Sequence, residues 1–191
     1  PPLTLRQRAY RHLREQLGEV GEGQIIGRSA AMRELLDECE QVAPSDATVL
    51  ITATALDNLE SFNLDFAGWE IDRLEMNGDT QGYERVDQEL VVAPVEILAG
   101  EGFEVEVDYR GTPEPITSTA IPFGIGWHSG PEGEQYVAAE PDAAHSWFPS
   151  NDHPLDKSTF TFAITVPNRL SVAANGELVE VDEGATTTTY H

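Results

Sequence analysis

The chain has 191 residues, an apolar content of 40% and a formal net charge of -23, from 34 acidic against 11 basic residues. That length holds one domain with a proper core, or one domain plus an appendage, and the apolar content argues against disorder throughout. The charge excludes the phosphate backbone of nucleic acids and anionic membrane surfaces as partners.

The first part reads as helical. Leu5, Ala9, Tyr10, Leu13 and Leu17 recur at near-helical spacing over Leu3 to Leu17, with Arg6, Arg8, Arg11 and Arg14 on other faces as a solvated surface. Gly18 to Gly23 breaks that helix. Ser29 suits an N-cap for a second helix over Ala30 to Val42, whose stripe is Met32, Leu35, Leu36 and Cys39. Cys39, the only cysteine, excludes an internal disulfide and reads as a buried thiol. Pro44-Ser45-Asp46 ends the helix, which gives a helical leader over residues 1–46 ahead of a β domain over 47–191. No apolar run approaches a membrane span and no h-region opens the chain, so a soluble, cytoplasmic protein is expected.

From Thr48 the period changes to two. Short runs recur at Thr48–Ala55, Ser61–Phe66, Ile71–Met76, Glu89–Val92, Phe103–Tyr109, Phe160–Val166, Leu170–Ala174 and Leu178–Val181. Turn residues separate them, among them Asn77-Gly78 and Asn175-Gly176. Phe103-Glu-Val-Glu-Val-Asp-Tyr109 alternates cleanly, so one face is buried and the other is a solvated row of carboxylates. The pattern predicts a mainly β chain, an antiparallel β-sandwich preceded by a short two-helix segment. Between Glu140 and Pro167 lies a stiff loop braced by Pro141, Pro149 and Pro154. It is expected to feed a buried strand from Ser158 to Val166, with Trp147 and Phe148 as core anchors rather than ligand-stacking residues.

Several ordered motifs carry a family resemblance. Glu140-Pro141 leads through Ala144 to Phe148-Pro149, then Asn151-Asp152-His153-Pro154, Lys157-Ser158-Thr159-Phe160 and Val166-Pro167. Ile51-Thr52-Ala53-Thr54-Ala55, Phe62-Asn63-Leu64-Asp65-Phe66, Asn77-Gly78 and Ala174-Asn175-Gly176-Glu177-Leu178 extend the match over roughly three quarters of the chain. Together they resemble the amino-terminal domain of the zinc aminopeptidases of the aminopeptidase N family. The resemblance implies a saddle-like β-sandwich that is not itself catalytic. It also implies zinc in a separate catalytic domain, which would be the partner, and peptide amino termini as ligands. In that family the segment before the Glu-Pro step helps bind the free amino terminus of the substrate. An ammonium entering a semi-enclosed pocket needs an anionic acceptor, and Glu140 holds the position that supplies it. Ala138 stands where many members carry glutamine, a departure that weakens contacts to the first side chain.

Catalytic and metal motifs are otherwise lacking. None of His12, His128, His145, His153 and His191 has the His-Glu-x-x-His spacing of a zincin, and no Gly-x-Ser-x-Gly elbow occurs. His145, Asp152 and His153 could converge on a metal only from one irregular loop, without the rigid support such sites favour. No catalytic residue and no metal ligand is therefore assigned to this chain.

Residues 24–52 resemble something different, the start of the ATPase domain of NtrC-like transcription activators, through Ile25-Ile26-Gly27-Arg28-Ser29, Val42-Ala43-Pro44-Ser45 and Thr48-Val49-Leu50-Ile51. The phosphate loop expected next is replaced by Ala53-Thr54-Ala55-Leu56-Asp57, without glycine or lysine, so nucleotide binding has no physical basis. The two resemblances meet within Thr48 to Thr52, as in a spliced chain. Three functions stay open on these residues: a non-catalytic domain of a zinc aminopeptidase, a stand-alone binding module, or an inactive remnant of an ATPase regulator.

Overall fold

The structure is a computed structural model, and it describes residues 45–117, 121–130, 134–153 and 155–191. Their regular structure is β-strand apart from one short 3-10 helix, and every ladder among them is antiparallel. The expectation of a mainly β, antiparallel chain is met. The two-helix segment, Cys39 included, lies outside the described residues. The chain divides into two compact units, one ending at His153 and one spanning Pro154–His191.

Among the described residues the first unit holds three sheets. The largest has the order β1-β7-β3-β4, from β1 (Ser45–Thr54), β3 (Glu70–Met76), β4 (Asp79–Thr80) and β7 (Gly102–Gly111). β1 and β7 pair without a register shift from Ser45↔Gly111 to Thr54↔Gly102, while β3 and β7 shift register between Ile71 and Arg73. Asn77 and Gly78 both take positive φ (52° and 86°) and close the β3–β4 hairpin, which is why that dipeptide signals a tight turn. A second sheet, β2-β6-β5, comprises β2 (Phe62–Asp65), β5 (Tyr83–Val86) and β6 (Glu89–Val92). The third, β10-β9-β8, comprises β8 (Ile116–Thr117), β9 (Gly124–Ser129) and β10 (Gln135–Ala138).

The alternation of β7 places Phe103, Val105, Val107 and Tyr109 in the core. They share one apolar cluster with Leu74 of β3, Leu64 of β2, and Leu90 and Val92 of β6. Burial of each such side chain contributes about 1.5–3 kcal/mol. The Tyr109 ring makes edge contacts with Phe66 at 4.9 Å and Trp69 at 5.4 Å. Arg85 closes this end: its guanidinium lies 5.3 Å above the Phe66 ring and donates to the Phe66 and Trp69 carbonyls. On the other face of β7, Glu106 and Asp108 meet Arg73 of β3, so the expected solvated row of carboxylates carries an arginine across it.

The second unit is one sheet, β11-β13-β12, built from β11 (Ile164–Pro167), β12 (Val181–Glu183) and β13 (Thr187–Tyr190). Three expectations are corrected here. The strand expected from Ser158 pairs only from Ile164, which stands opposite Tyr190 of β13. Phe160 lies outside that ladder and is 60% exposed, so the run is not a buried strand. Leu170–Ala174 is not a strand, and Leu178–Val181 contributes only Val181 to one, with Val179 82% exposed. Among the described residues no helix is long and apolar enough to cross a membrane.

Candidate functional site

One residue separates Glu140 from the end of β10. Ala138, the last residue of that strand, pairs with Gly126 of β9, and both Ala138 and Glu140 are exposed. The Glu140–Pro141 peptide is cis. The turn carrying Glu140 is closed by the Ala143 N–H, which donates to the Ala139 carbonyl at 2.8 Å, and Ala143 is fully buried. Ala144–Ser146 then forms the 3-10 helix. Inside it the buried Ser146 hydroxyl donates to the Ala143 carbonyl at 2.7 Å, so the exposed turn hangs from a buried polar anchor.

Gly126 is required at its place. Its φ of +100° is the left-handed region, and a Cβ there would stand 2.3 Å from Ser146 Oγ. The β9–β10 hairpin and the 3-10 helix can approach this closely only through a glycine.

The corner is fastened to the core at five places. Trp69 Nε1 donates to the Ser146 carbonyl at 2.8 Å, and the Ala67 N–H donates to the His145 carbonyl at 2.9 Å. The Tyr109 hydroxyl donates to the Trp147 carbonyl at 2.9 Å; burial pushes that phenol above its usual pKa. Asp65 and Ser150 exchange backbone hydrogen bonds, and the Asp152 N–H donates to Asp65 Oδ2 at 2.8 Å. Trp147 and Phe148 sit half-buried against the core cluster, the anchoring role expected of them, with ring centroids 4.6 Å apart.

Sequence reading brought His145, Asp152 and His153 together as metal candidates. The structure joins the first two as a hydrogen-bonded pair, His145 Nδ1 lying 2.6 Å from Asp152 Oδ2. His145 Nε2 lies 3.0 Å from Gln88 Oε1, so both ring nitrogens are committed to protein oxygens. Among the described residues no cluster of His, Cys, Asp or Glu could hold a metal ion. The zinc implied by resemblance is expected in a separate catalytic domain and not at these residues.

Beside this pair lies a carboxylate couple that sequence reading missed. Glu89 of β6 stands opposite Asp65 of β2 in register. Burial, and then the Asp65 carboxylate beside it, hold the Glu89 carboxyl above its ordinary range. Ser146, Gln88 and Trp69 were also missed as supports of the corner. The ordered motifs from Glu140 to Pro154 and the stiff prolines marked the region in sequence, but not these supports, since a buried serine has no local signature.

The comparisons with known proteins agree with this architecture. The model of the Peptidase M1 N-terminal domain matches residues 46–191. Among solved structures, a mutant of the M1 zinc metallopeptidase of Deinococcus radiodurans bound to a Tyr-Ser-Ala substrate is 29% identical, with a TM-score of 0.72. That match covers 78% of this chain and 34% of the other. Another structure of the M1 zinc metallopeptidase from Deinococcus radiodurans is 30% identical at a TM-score of 0.70, covering 76% of this chain and 33% of that one. A two-domain M1 zinc metallopeptidase mutant bound to L-tryptophan matches at 30% identity and a TM-score of 0.71, covering 76% and 34%. The chain thus spans about a third of the length of these structures. No curated protein matches it.

The resemblance of residues 24–52 to NtrC-like ATPases finds no support in these matches. Thr48–Thr52 lies within the antiparallel strand β1, which leads into buried Ala55 and a bend rather than a phosphate loop and helix. With 146 of its residues covered by one family model, from 46 to 191, the chain belongs to the Peptidase M1 N-terminal domain family.

Proposed function

We propose that this chain acts as the non-catalytic N-terminal β domain of a zinc aminopeptidase, and that Glu140 receives the free amino terminus of peptide substrates when a catalytic domain is joined to it. The observation that carries the proposal is the placement of Glu140: an exposed carboxylate on a turn tied to a buried serine, itself bolted to the core through Trp69. A preorganised acceptor meets an ammonium without first paying for its own ordering. Ala138, exposed one pairing position from the turn, offers only a methyl group toward a bound first residue, so Glu140 carries the recognition without a neighbouring amide. The M1 structures similar to this chain, including one bound to Tyr-Ser-Ala and one to L-tryptophan, support a peptide amino terminus as the ligand class.

Within the unit ending at His153, two sheets sharing one apolar cluster support the sandwich reading of that unit. The family match beginning at residue 46 supports a boundary near 46/47 between leader and β domain. Zinc and the hydrolytic step belong to the catalytic domain in this reading. The test is kinetic: in the enzyme joined to its catalytic domain, Glu140→Ala raises KM for free-amine peptides roughly tenfold or more, the worth of a charge-assisted hydrogen bond. An unchanged KM removes Glu140 from the site. The 191-residue chain alone, assayed with added zinc, is expected to give no turnover.

A further inference from the structure

The outer face of the β1-β7-β3-β4 sheet collects charge of one sign. Glu104, Glu106 and Asp108 project from β7 on the side opposite its buried residues. Glu75 of β3 stands directly opposite Glu106, and Asp46 of β1 and Glu70 of β3 both lie opposite Arg110. Two guanidiniums hold this face together. Arg73 contacts three carboxylates, Glu75 at 2.8 Å, Asp108 at 2.7 Å and Glu106. Arg110 contacts Glu70 at 3.0 Å and Asp72 at 3.3 Å. Both arginines are close to half exposed, so water and dissolved ions reach every one of these pairs.

Two effects of salt compete on such a face. Screening weakens the ion pairs, which would lower stability as salt rises. It also weakens the repulsion among the carboxylates each arginine gathers, which would raise it. Exposed pairs contribute about 0–1 kcal/mol each. These seven carboxylates share the face with two guanidiniums, so like charge predominates. Glu75 and Glu106, directly opposite across strands, sit about 5 Å apart, well inside the Debye length of about 10 Å at 0.1 M salt. At 1 M that length falls to about 3 Å, shorter than the spacing. The chain as a whole, at -23, adds repulsion of the same sign.

We propose that this arginine-pinned carboxylate face makes the fold depend on salt, so that monovalent ions stabilise the chain by screening although ion pairs, with the Thr48–Asp108 hydrogen bond, hold the face together. The device sets where the protein works: it stays folded in concentrated salt and loosens as the medium is diluted. It acts on the scaffold and is independent of the reading of Glu140.

The test is thermal unfolding of the 191-residue chain, followed by circular dichroism, from about 0.05 to 1 M KCl, NaCl or tetramethylammonium chloride. Tm should rise by several degrees, equally for the three cations, with most of the rise at the dilute end. A flat or falling Tm overturns the proposal. A rise confined to one cation also overturns it, because that identifies a bound ion rather than screening. Glu104→Gln, which removes one like charge and none of the ion pairs just described, should raise Tm at low salt and flatten its dependence. Arg73→Gln should lower Tm at low salt and steepen the dependence; if it does not fold in dilute buffer, Glu104→Gln still decides the matter. Asp57→Asn, an exposed acid in the bend after β1, is the control. If it flattens the salt dependence as much as Glu104→Gln does, the cause is overall charge and the assignment to this face fails.

Discussion

Glu89 carries a cost that its neighbour imposes. Its folded pKa lies above the ordinary carboxyl value, because burial and Asp65 both disfavour its anion. The folded chain therefore binds this proton more tightly than the unfolded chain does. Its contribution to stability is complete below the unfolded pKa and is lost as pH rises through the folded one. Glu89→Gln should then raise Tm by roughly 1–3 °C at neutral pH and leave it unchanged in acid, which a pH series of melting curves reads directly. Ser146 is the opposite case, a polar group whose burial is fully matched. Ser146→Ala removes this buried hydrogen bond but leaves the Ala143 carbonyl its backbone donor, the Ser146 N–H at 3.2 Å, and should cost about 0.5–1.5 kcal/mol by denaturant titration. Neither residue was legible in the sequence. Glu89 looked like the start of one more strand, and Ser146 like one more loop serine; both matter because of what lies opposite them from distant parts of the chain. Glu140 stood out only because a motif surrounds it.

Among elements, β7 was the most legible. Its strict alternation needs no tertiary information, and each buried position proved to be the one the pattern gave. The weight it bears is testable with its facing strand: Leu74→Ala should cost about 2–5 kcal/mol, since Leu74 is almost wholly buried against it. The β9–β10 hairpin was missed because Gly124–Ser129 has no clean period and Gln135–Ala138 is exposed throughout. Its fit depends on Gly126. Gly126→Ala should destabilise by roughly 2–4 kcal/mol, combining positive φ with the collision against Ser146. In the double variant with Ser146→Ala the two costs should add to less than their sum, as for residues in contact, because the hydroxyl that collides is gone.

For the whole molecule, family and strand class were readable because ordered motifs and a period of two survive without knowledge of contacts. The limits of Pro154–His191 were not. Phe160 and Leu178 have strand-like side chains yet lie outside its ladders, both exposed. Propensity names residues that fit a sheet; the partner decides how many join one.

The three tryptophans have a practical use. Trp69 donates to the Ser146 carbonyl, while Trp127 and Trp147 meet edge to face at 5.8 Å. Trp147 lies in the corner that follows Glu140, Trp69 and Trp127 each touch that corner, and none falls between Pro154 and His191. Intrinsic emission from this protein is a local gauge: a ligand docking at that turn would change its colour, whereas melting of the last thirty-eight residues would pass unseen.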